Sequence, residues 1–206
     1  MFGFFMYRIF IIFFCVAAIP IAVIVTIAII VFSGLPIIFC QKRVGKDGKI
    51  FTMYKFRTMK IHADRQQMKL RSKNEADGPV FKIYHDPRHT TIGAFLSHTG
   101  LDELPQLVNI IVGDMALFGP RPLPIKEVHT LLPWQEKRHT IKPGIISPWV
   151  LDGYHRRTFN EWMKSDCMYV QHKSFIYDTR LFFRSLFFIA ALMLQEIRRS
   201  NGGVLK

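Results

Sequence analysis

From its first residue the chain is apolar on every side as far as about residue 41, then alternates, turns polar, and becomes apolar again near its end. No charged side chain occurs between Ile9 and Gln41. As a single helix that run would be about 50 Å long, against a bilayer hydrocarbon core of about 30 Å. Pro20 interrupts it by removing a backbone donor, and Gly34 and Pro36 end the pattern. Two readings follow. Either a kinked helix spans the bilayer, or two arms of about 11 and 13 residues, each too short to cross, dip into one leaflet and return. Composition by itself favours the spanning helix, because membrane helices tolerate one proline. Arg8 on one side and Lys42 and Arg43 on the other give no clear inside–outside asymmetry. A signal peptide fits poorly, because the run is too long and no small-residue cleavage site follows it.

After this run, "PIIFCQKRVGKDGKIFTMYKFRTM" reads as two β-segments joined through Gly45-Lys46-Asp47-Gly48, a hairpin signal. Residues 60 to 78 are polar and charged, an exposed helix or a loop. "GAFLSHTGLDELPQLVNIIVGD" reads as helical, with Leu104, Leu107, Val108 and Ile111 in one apolar stripe and Gly113 as its stop. "MALFGPRPLP" is a short β-like run entering a proline-rich turn, and "KPGI" at 142 to 145 is a further turn. No repeat appears, and the order lacks the rhythm of a doubly wound sheet. The class is a small α/β domain of the α+β kind.

Near the end, "RLFFRSLFFIAALMLQEIRRS" is apolar on almost every face but carries Arg180 and Arg184. Its longest uncharged stretch, about ten residues, is too short to span. Such a helix lies in a membrane interface, where Arg198, Arg199 and Lys206 could meet anionic headgroups, or packs as ordinary core.

Charge adds a class of partner. Lys and Arg number 28 against 15 Asp and Glu in 206 residues, so the partners are anionic: nucleic acid, a membrane surface or phosphorylated substrates. Cys15, Cys40 and Cys167 have neither disulfide-framework nor metal-ligand spacing.

Against this basic background, Asp102 and Glu103 stand side by side in "TGLDELPQ". Thr99 to Asp102 fits a capping box, the plain structural reading. Adjacent helical residues, however, point about 100° apart, so one carboxylate could face a ligand while the other faces the scaffold. A helix from Leu104 to Val112 runs out about 13 Å, and an extended return brings Arg121 back beside Asp102. Pro120 and Pro122 stiffen Arg121, and a guanidinium in a rigid turn suits phosphate oxygens. Lys55 and Arg57 alternate along one β-segment and would add positive charge to the same place. Carboxylates, arginine and lysines together are the parts of phosphoryl transfer, with a carboxylate as nucleophile and Mg2+ as a partner of the phosphates. No Walker loop, kinase signature or dinucleotide fingerprint occurs.

"QKRVGKDGKIFTMYKFRTM", "LDELPQLVNIIVGDMALFGPRPL" and "RHTIKPGI", in that order, resemble the bacterial sugar transferases, the monotopic phosphoglycosyl transferases. The resemblance implies transfer of a sugar phosphate from a nucleoside diphosphate sugar, usually UDP-linked, to undecaprenyl phosphate, with release of UMP. It implies that Asp102 is the nucleophile and a Mg2+ ligand, that Glu103 completes the dyad, and that Arg121 and Lys55 match family positions. It also implies a re-entrant helix broken at Pro20 and a monotopic enzyme on the cytoplasmic face of the bacterial inner membrane. The division would then be residues 1–38 as membrane helix and 39–206 as a membrane-surface catalytic domain. The partners would be the nucleotide sugar, the lipid phosphate and an anionic membrane; no nucleic acid is expected, and assembly into a homo-oligomer stays open. A second reading is a membrane-associated relative that binds without turnover, since Ser97 stands where the family commonly has arginine and residues 146–156 depart from its pattern.

Overall fold

The computed structural model describes the backbone of residues 2–152 and 158–202, and the side chains of 11–152 and 158–199. Residues 153–156 of the 146–156 segment, and Lys206, are outside the described residues. The architecture is mixed, 59% helical with two small sheets.

The long helix α1 (Phe2–Ser33) continues through Pro20. Pro20 does not divide it into separate helices: the run is one helix of 32 residues. Among the described residues it is the one helix long and apolar enough to cross a membrane. Its buried positions, Ile11, Ala18, Val25 and Ile29, recur every seven or four residues, so a single stripe faces the protein. Ile11 joins the main core with Phe51, Met53, Leu117, Tyr169 and Leu181, whereas Val25 and Ile29 join a second core with Phe56 and Leu96. Both halves of α1 are thus held against the same domain. The outward side keeps Phe13, Ile24, Val31 and Phe32 exposed.

The antiparallel hairpin β1 (Ile38–Val44) and β2 (Ile50–Phe56) pairs Phe39 with Lys55 and Val44 with Ile50, turning at Lys46–Gly48 as the glycine spacing indicates. The polar stretch that follows holds short 3-10 turns at Ala63–Gln66 and Met68–Lys73. Helix α2 (Thr91–Thr99) sits so close to the end of β2 that a Cβ on Gly93 would lie 1.9 Å from the Thr58 carbonyl oxygen. Only a glycine fits there.

The helical region expected from 93 to 114 is divided. Gly100 takes φ 76, a left-handed conformation costly for other residues, and ends α2. A 3-10 turn follows at Leu101–Glu103, then α3 (Gln106–Val112). Strand β3 (Ala116–Phe118) is followed by α4 (Ile125–Val128). The "KPGI" turn leads into β4 (Gly144–Ile146), which pairs parallel with β3. Then come α5 (Pro148–Leu151), α6 (Phe159–His172), which opens on a Thr158–Glu161 capping box, and α7 (Phe175–Gly202). Helix α7 buries Leu181 and Ser185 and leaves Phe183, Leu186, Phe187, Leu194 and Ile197 exposed. Arg199 donates to the Tyr84 hydroxyl at 3.1 Å, so its guanidinium engages the protein.

Candidate active site

The kink at Gly100 is what brings the site together. Thr99 does not form a capping box with Asp102, because its hydroxyl donates back to the Phe95 carbonyl at 2.8 Å. Leu101 and Leu104, on either side of the dyad, pack against the second core with Val25 and Ile29 of α1. The apolar flanks are therefore anchored on the long helix, while the carboxylates meet the cations.

Lys55 Nζ lies 2.8 Å from Glu103 Oε1 and 3.2 Å from Asp102 Oδ2. Arg121 Nη2 lies 2.6 Å from the same Glu103 oxygen. Burial pushes both carboxylates up, but the two differ in what opposes it. Arg121 and Lys55 outweigh burial at Glu103 and hold it down at about 2. At Asp102 burial prevails, reinforced by the charge of Glu103, and its pKa is raised. Glu103 is thus matched by two cations, whereas Asp102 has Lys55 alone among these ion pairs. The two carboxyls therefore differ: Glu103 stays ionised between both cations, whereas the charged form of Asp102 is disfavoured relative to an ordinary aspartate and would be favoured by a further cation.

Backbone bonds fix each contributor. Asn109, fully buried, donates from Nδ2 to the Thr52 carbonyl at 2.7 Å and accepts from the Tyr54 amide at 3.2 Å. Its side chain acts as a strand-like partner on β2, fastening α3 to the strand that carries Lys55. Around Arg121 four consecutive carbonyls are engaged. Pro120 accepts from the Gly144 amide, Arg121 from Arg138 Nη2, Pro122 from Arg43 Nη1, and Leu123 from the Val44 amide. Arg121 therefore projects from an immobilised turn. A shallow crevice opens beside it, walled by Gly45, Pro120, His139 and Pro143. Burial, with help from Arg138, holds the His139 imidazole neutral by lowering its pKa to about 4.

Of the residues singled out in the sequence, Lys55, Asp102, Glu103 and Arg121 come together and Arg57 does not join them through any hydrogen bond or ion pair described. Strand β2 ends at Phe56, and Arg57, itself buried, donates from Nη2 to the carbonyls of Ser33 and Gly34 at 2.6 Å each. Those oxygens end α1, where helical carbonyls lack partners of their own and attract a cation. Arg57 acts as a cap on α1. Sequence reasoning missed Asn109 and Arg138. Asn109 carried a signal, a polar residue inside an apolar helical run; Arg138, beside the "KPGI" turn, carried none that periodicity could show.

Among the described residues no group of three or more His, Cys, Asp and Glu side chains could hold a metal ion. Mg2+ often takes one or two carboxylates and completes its shell with substrate phosphates and water. A buried carboxylate with incomplete charge compensation, as at Asp102, fits that mode of binding.

The profile described as "Bacterial sugar transferase" matches residues 4–191. The chain belongs to the bacterial sugar transferase family. Over 155 residues this sugar transferase is 39% identical to the galactosyl transferase CpsE of Streptococcus agalactiae, covering 75% of this chain and 34% of that protein. Over 160 residues it is 34% identical to the undecaprenyl-phosphate galactose phosphotransferase of Salmonella typhimurium, covering 74% and 33%. Over 176 residues it is 31% identical to the UDP-glucose:undecaprenyl-phosphate glucose-1-phosphate transferase of Escherichia coli, covering 82% and 36%. The matched region spans about a third of the length of each of these relatives.

Proposed function

We propose that the chain transfers a sugar phosphate from a nucleoside diphosphate sugar, UDP-linked, to undecaprenyl phosphate. The observation that carries this reading is the convergence of Asp102, Glu103, Lys55 and Arg121, supported by relatives whose names describe such transfers. An Asp102 carboxylate oxygen attacks the β-phosphorus of the donor. The bond from that phosphorus to the bridging oxygen breaks, and UMP leaves with the electron pair. The resulting aspartyl phosphosugar is then attacked at phosphorus by an oxygen of undecaprenyl phosphate, which restores the Asp102 carboxylate and forms the lipid diphosphosugar. Arg121 and Lys55 neutralise phosphate charge as the bonds change, and Glu103 keeps both cations aimed. Mg2+, held at Asp102 with the donor phosphates, would supply further charge neutralisation when bound.

The exposed apolar side of α1 and the exposed apolar residues of α3 and α7 support a membrane-bound enzyme. In this reading α1 is re-entrant and the enzyme is monotopic on the cytoplasmic face, which fits a helix whose two halves both rest on the domain. It would begin assembly of a polysaccharide or related glycan. The test is incubation of the membrane-extracted chain with UDP-sugars and undecaprenyl phosphate. Release of UMP that depends on Asp102 supports the reading, and no release with any UDP-sugar refutes it.

A further inference from the structure

Residues 60–73, between β2 and α2, carry five cations, Lys60, Arg65, Lys69, Arg71 and Lys73, against one acid, Asp64. Ala63 is buried, Leu70 is half-buried, and the rest of the stretch is exposed. Among the described residues, Arg65, Lys69, Arg71 and Lys73 make no ion pair and no side-chain hydrogen bond. The two acids that follow are engaged elsewhere: Glu75 Oε2 accepts from the Tyr84 amide at 2.9 Å, and Asp77 Oδ2 from the Phe159 amide at 3.2 Å. The stretch is wound as 3-10 turns at Ala63–Gln66 and Met68–Lys73, with Gln67 between them also in a helical conformation. Three residues per turn put Arg65, Met68 and Arg71 in one row. Met68, at the centre of that row, is 74% exposed, and Ile61 is exposed as well. Unpaired cations flanking bare apolar side chains suit a bilayer surface, where the charges meet headgroups and the apolar chains enter the acyl boundary.

The root of the stretch fixes where it lies. Arg57 caps the end of α1, the Ser33 hydroxyl donates to Thr90 Oγ1 at 3.0 Å, and the Thr90 amide donates to the Thr58 carbonyl at 3.0 Å. Lys60 is three residues beyond Arg57, at most about 11 Å further along the chain. From there Arg88 holds the stretch. Its carbonyl accepts from the Lys60 amide at 2.9 Å and its Nη1 donates to the Ala63 carbonyl at 3.4 Å, while its own charge pairs with Asp86 at 2.6 Å. The end of α1 is also where the uncharged run meets the domain, with Val31, Phe32 and Leu35 exposed around it. Whether α1 crosses the bilayer or returns within one leaflet, that end lies at the membrane boundary, and the basic stretch is tied beside it.

We propose that residues 60–73 form an electrostatic docking surface for an anionic bilayer, laid on the headgroups beside the end of α1. It adds a charge-dependent contact to the apolar anchoring, and it rests on the membrane-bound reading above. A dissolved polyanion would leave Met68 and Ile61 in water, whereas a bilayer takes up both charges and apolar chains. A second copy paired about a two-fold axis on this surface would set the same cations against each other.

The test places a reporter in the row. The full chain with Met68→Cys, in a Cys40→Ser background because Cys40 is the exposed native thiol, is labelled with bimane and reconstituted in nanodiscs. The discs hold brominated phosphatidylcholine alone or with about a third of brominated phosphatidylglycerol as the anionic lipid. Quenching of the label at position 68 should be at least about twofold stronger in the anionic discs. It should fall to the neutral-disc level at about 1 M salt, and also when Arg65→Gln, Lys69→Gln, Arg71→Gln and Lys73→Gln are combined. These four positions are exposed and unpartnered, so the combined variant should melt with wild type, and the salt arm needs no variant at all. Equal quenching in both discs, quenching that survives salt or the combined variant, or a label quenched by aqueous iodide alone overturns the proposal. Protection from both quenchers means that protein covers the row, and overturns it too. A separate label at Val31→Cys reports on α1. If lipid quenches that label but not the one at position 68, the docking surface alone is lost; if lipid quenches neither, the membrane-bound reading fails and the docking surface with it.

Discussion

Arg138 supports Arg121 from within the protein: its Nη2 donates to the Arg121 carbonyl and lies 2.7 Å from Asp166 Oδ2 on α6. The side chains of Arg138 and Asp166 are 1% and 0% exposed. Burial raises Asp166 to about 6 in spite of the arginine beside it. Such a pair is poor evidence for added stability, because desolvating two charges cancels most of their attraction. Its effect here is geometric, fixing the turn from which Arg121 reaches Glu103.

Arg138→Lys should therefore separate geometry from charge. Nη2 makes both contacts, and the shorter lysine side chain does not carry its ammonium as far as that nitrogen, between the carbonyl and Asp166. The expected result is at least a tenfold fall in UMP release with a folded, monodisperse protein. Arg138→Met, which leaves Asp166 buried without its partner, should cost about 3–5 kcal/mol by denaturant unfolding. A Lys variant with wild-type turnover would show that the turn keeps its shape unaided.

The meeting of Arg121 with the dyad was legible in the sequence, because a helix of known rise, a glycine stop and an extended return leave little freedom in where the chain comes back. The hairpin was legible for a similar local reason. The fate of Arg57 was not. Alternation along β2 put it beside Lys55, but its partners are carbonyls more than twenty residues away at the end of α1, and no local pattern reports such a contact. Gly100 was read as part of a continuous helix, because apolar spacing on both sides of it is helical and a left-handed residue leaves no trace in periodicity.

The cap formed by Arg57 predicts a phenotype unlike that of a phosphate ligand. Arg57→Met removes two charge-assisted bonds from the end of α1 and should destabilise the chain by about 2–5 kcal/mol. Among the molecules that remain folded, the KM for the UDP-sugar should be unchanged. Thermal unfolding in detergent together with steady-state kinetics checks both parts. A rise in donor KM without loss of stability would return Arg57 to the phosphate site.

Lys82 predicts how stability responds to pH. Its pKa is about 7 in the folded chain against an ordinary 10.5. Between those values the unfolded chain binds more protons, so the Lys82 contribution makes stability rise with pH across that window. Below pH 7 both states carry the charge and the penalty for burying it is complete. Lys82→Met should accordingly melt a few degrees above wild type at pH 6, with the difference shrinking steadily toward pH 10. A difference that does not change with pH would mean that the amine is well solvated.

The dyad gives the sharpest test of mechanism, because its two carboxylates are held by different charges. Asp102→Asn preserves size and shape but removes the anionic nucleophile, and UMP release should be abolished even at saturating UDP-sugar. Glu103→Gln keeps the nucleophile yet loosens both Lys55 and Arg121, which pair with Glu103 at 2.8 and 2.6 Å, and should reduce turnover by about a hundredfold or more. Since Glu103 is held at about 2, it stays ionised across the whole working pH range, so the Gln variant should be equally impaired at pH 6 and pH 9. Asp114→Asn, beyond the end of α3, should be nearly neutral. With acceptor omitted, mass spectrometry should find one phosphosugar adduct on Asp102 in wild type and in Asp114→Asn, and none in Asp102→Asn. If Asp102→Asn turns over near the wild-type rate, no aspartyl intermediate forms at this residue. The lipid phosphate would then have to attack the donor directly, with Lys55 and Arg121 still supplying the charge that the leaving UMP requires.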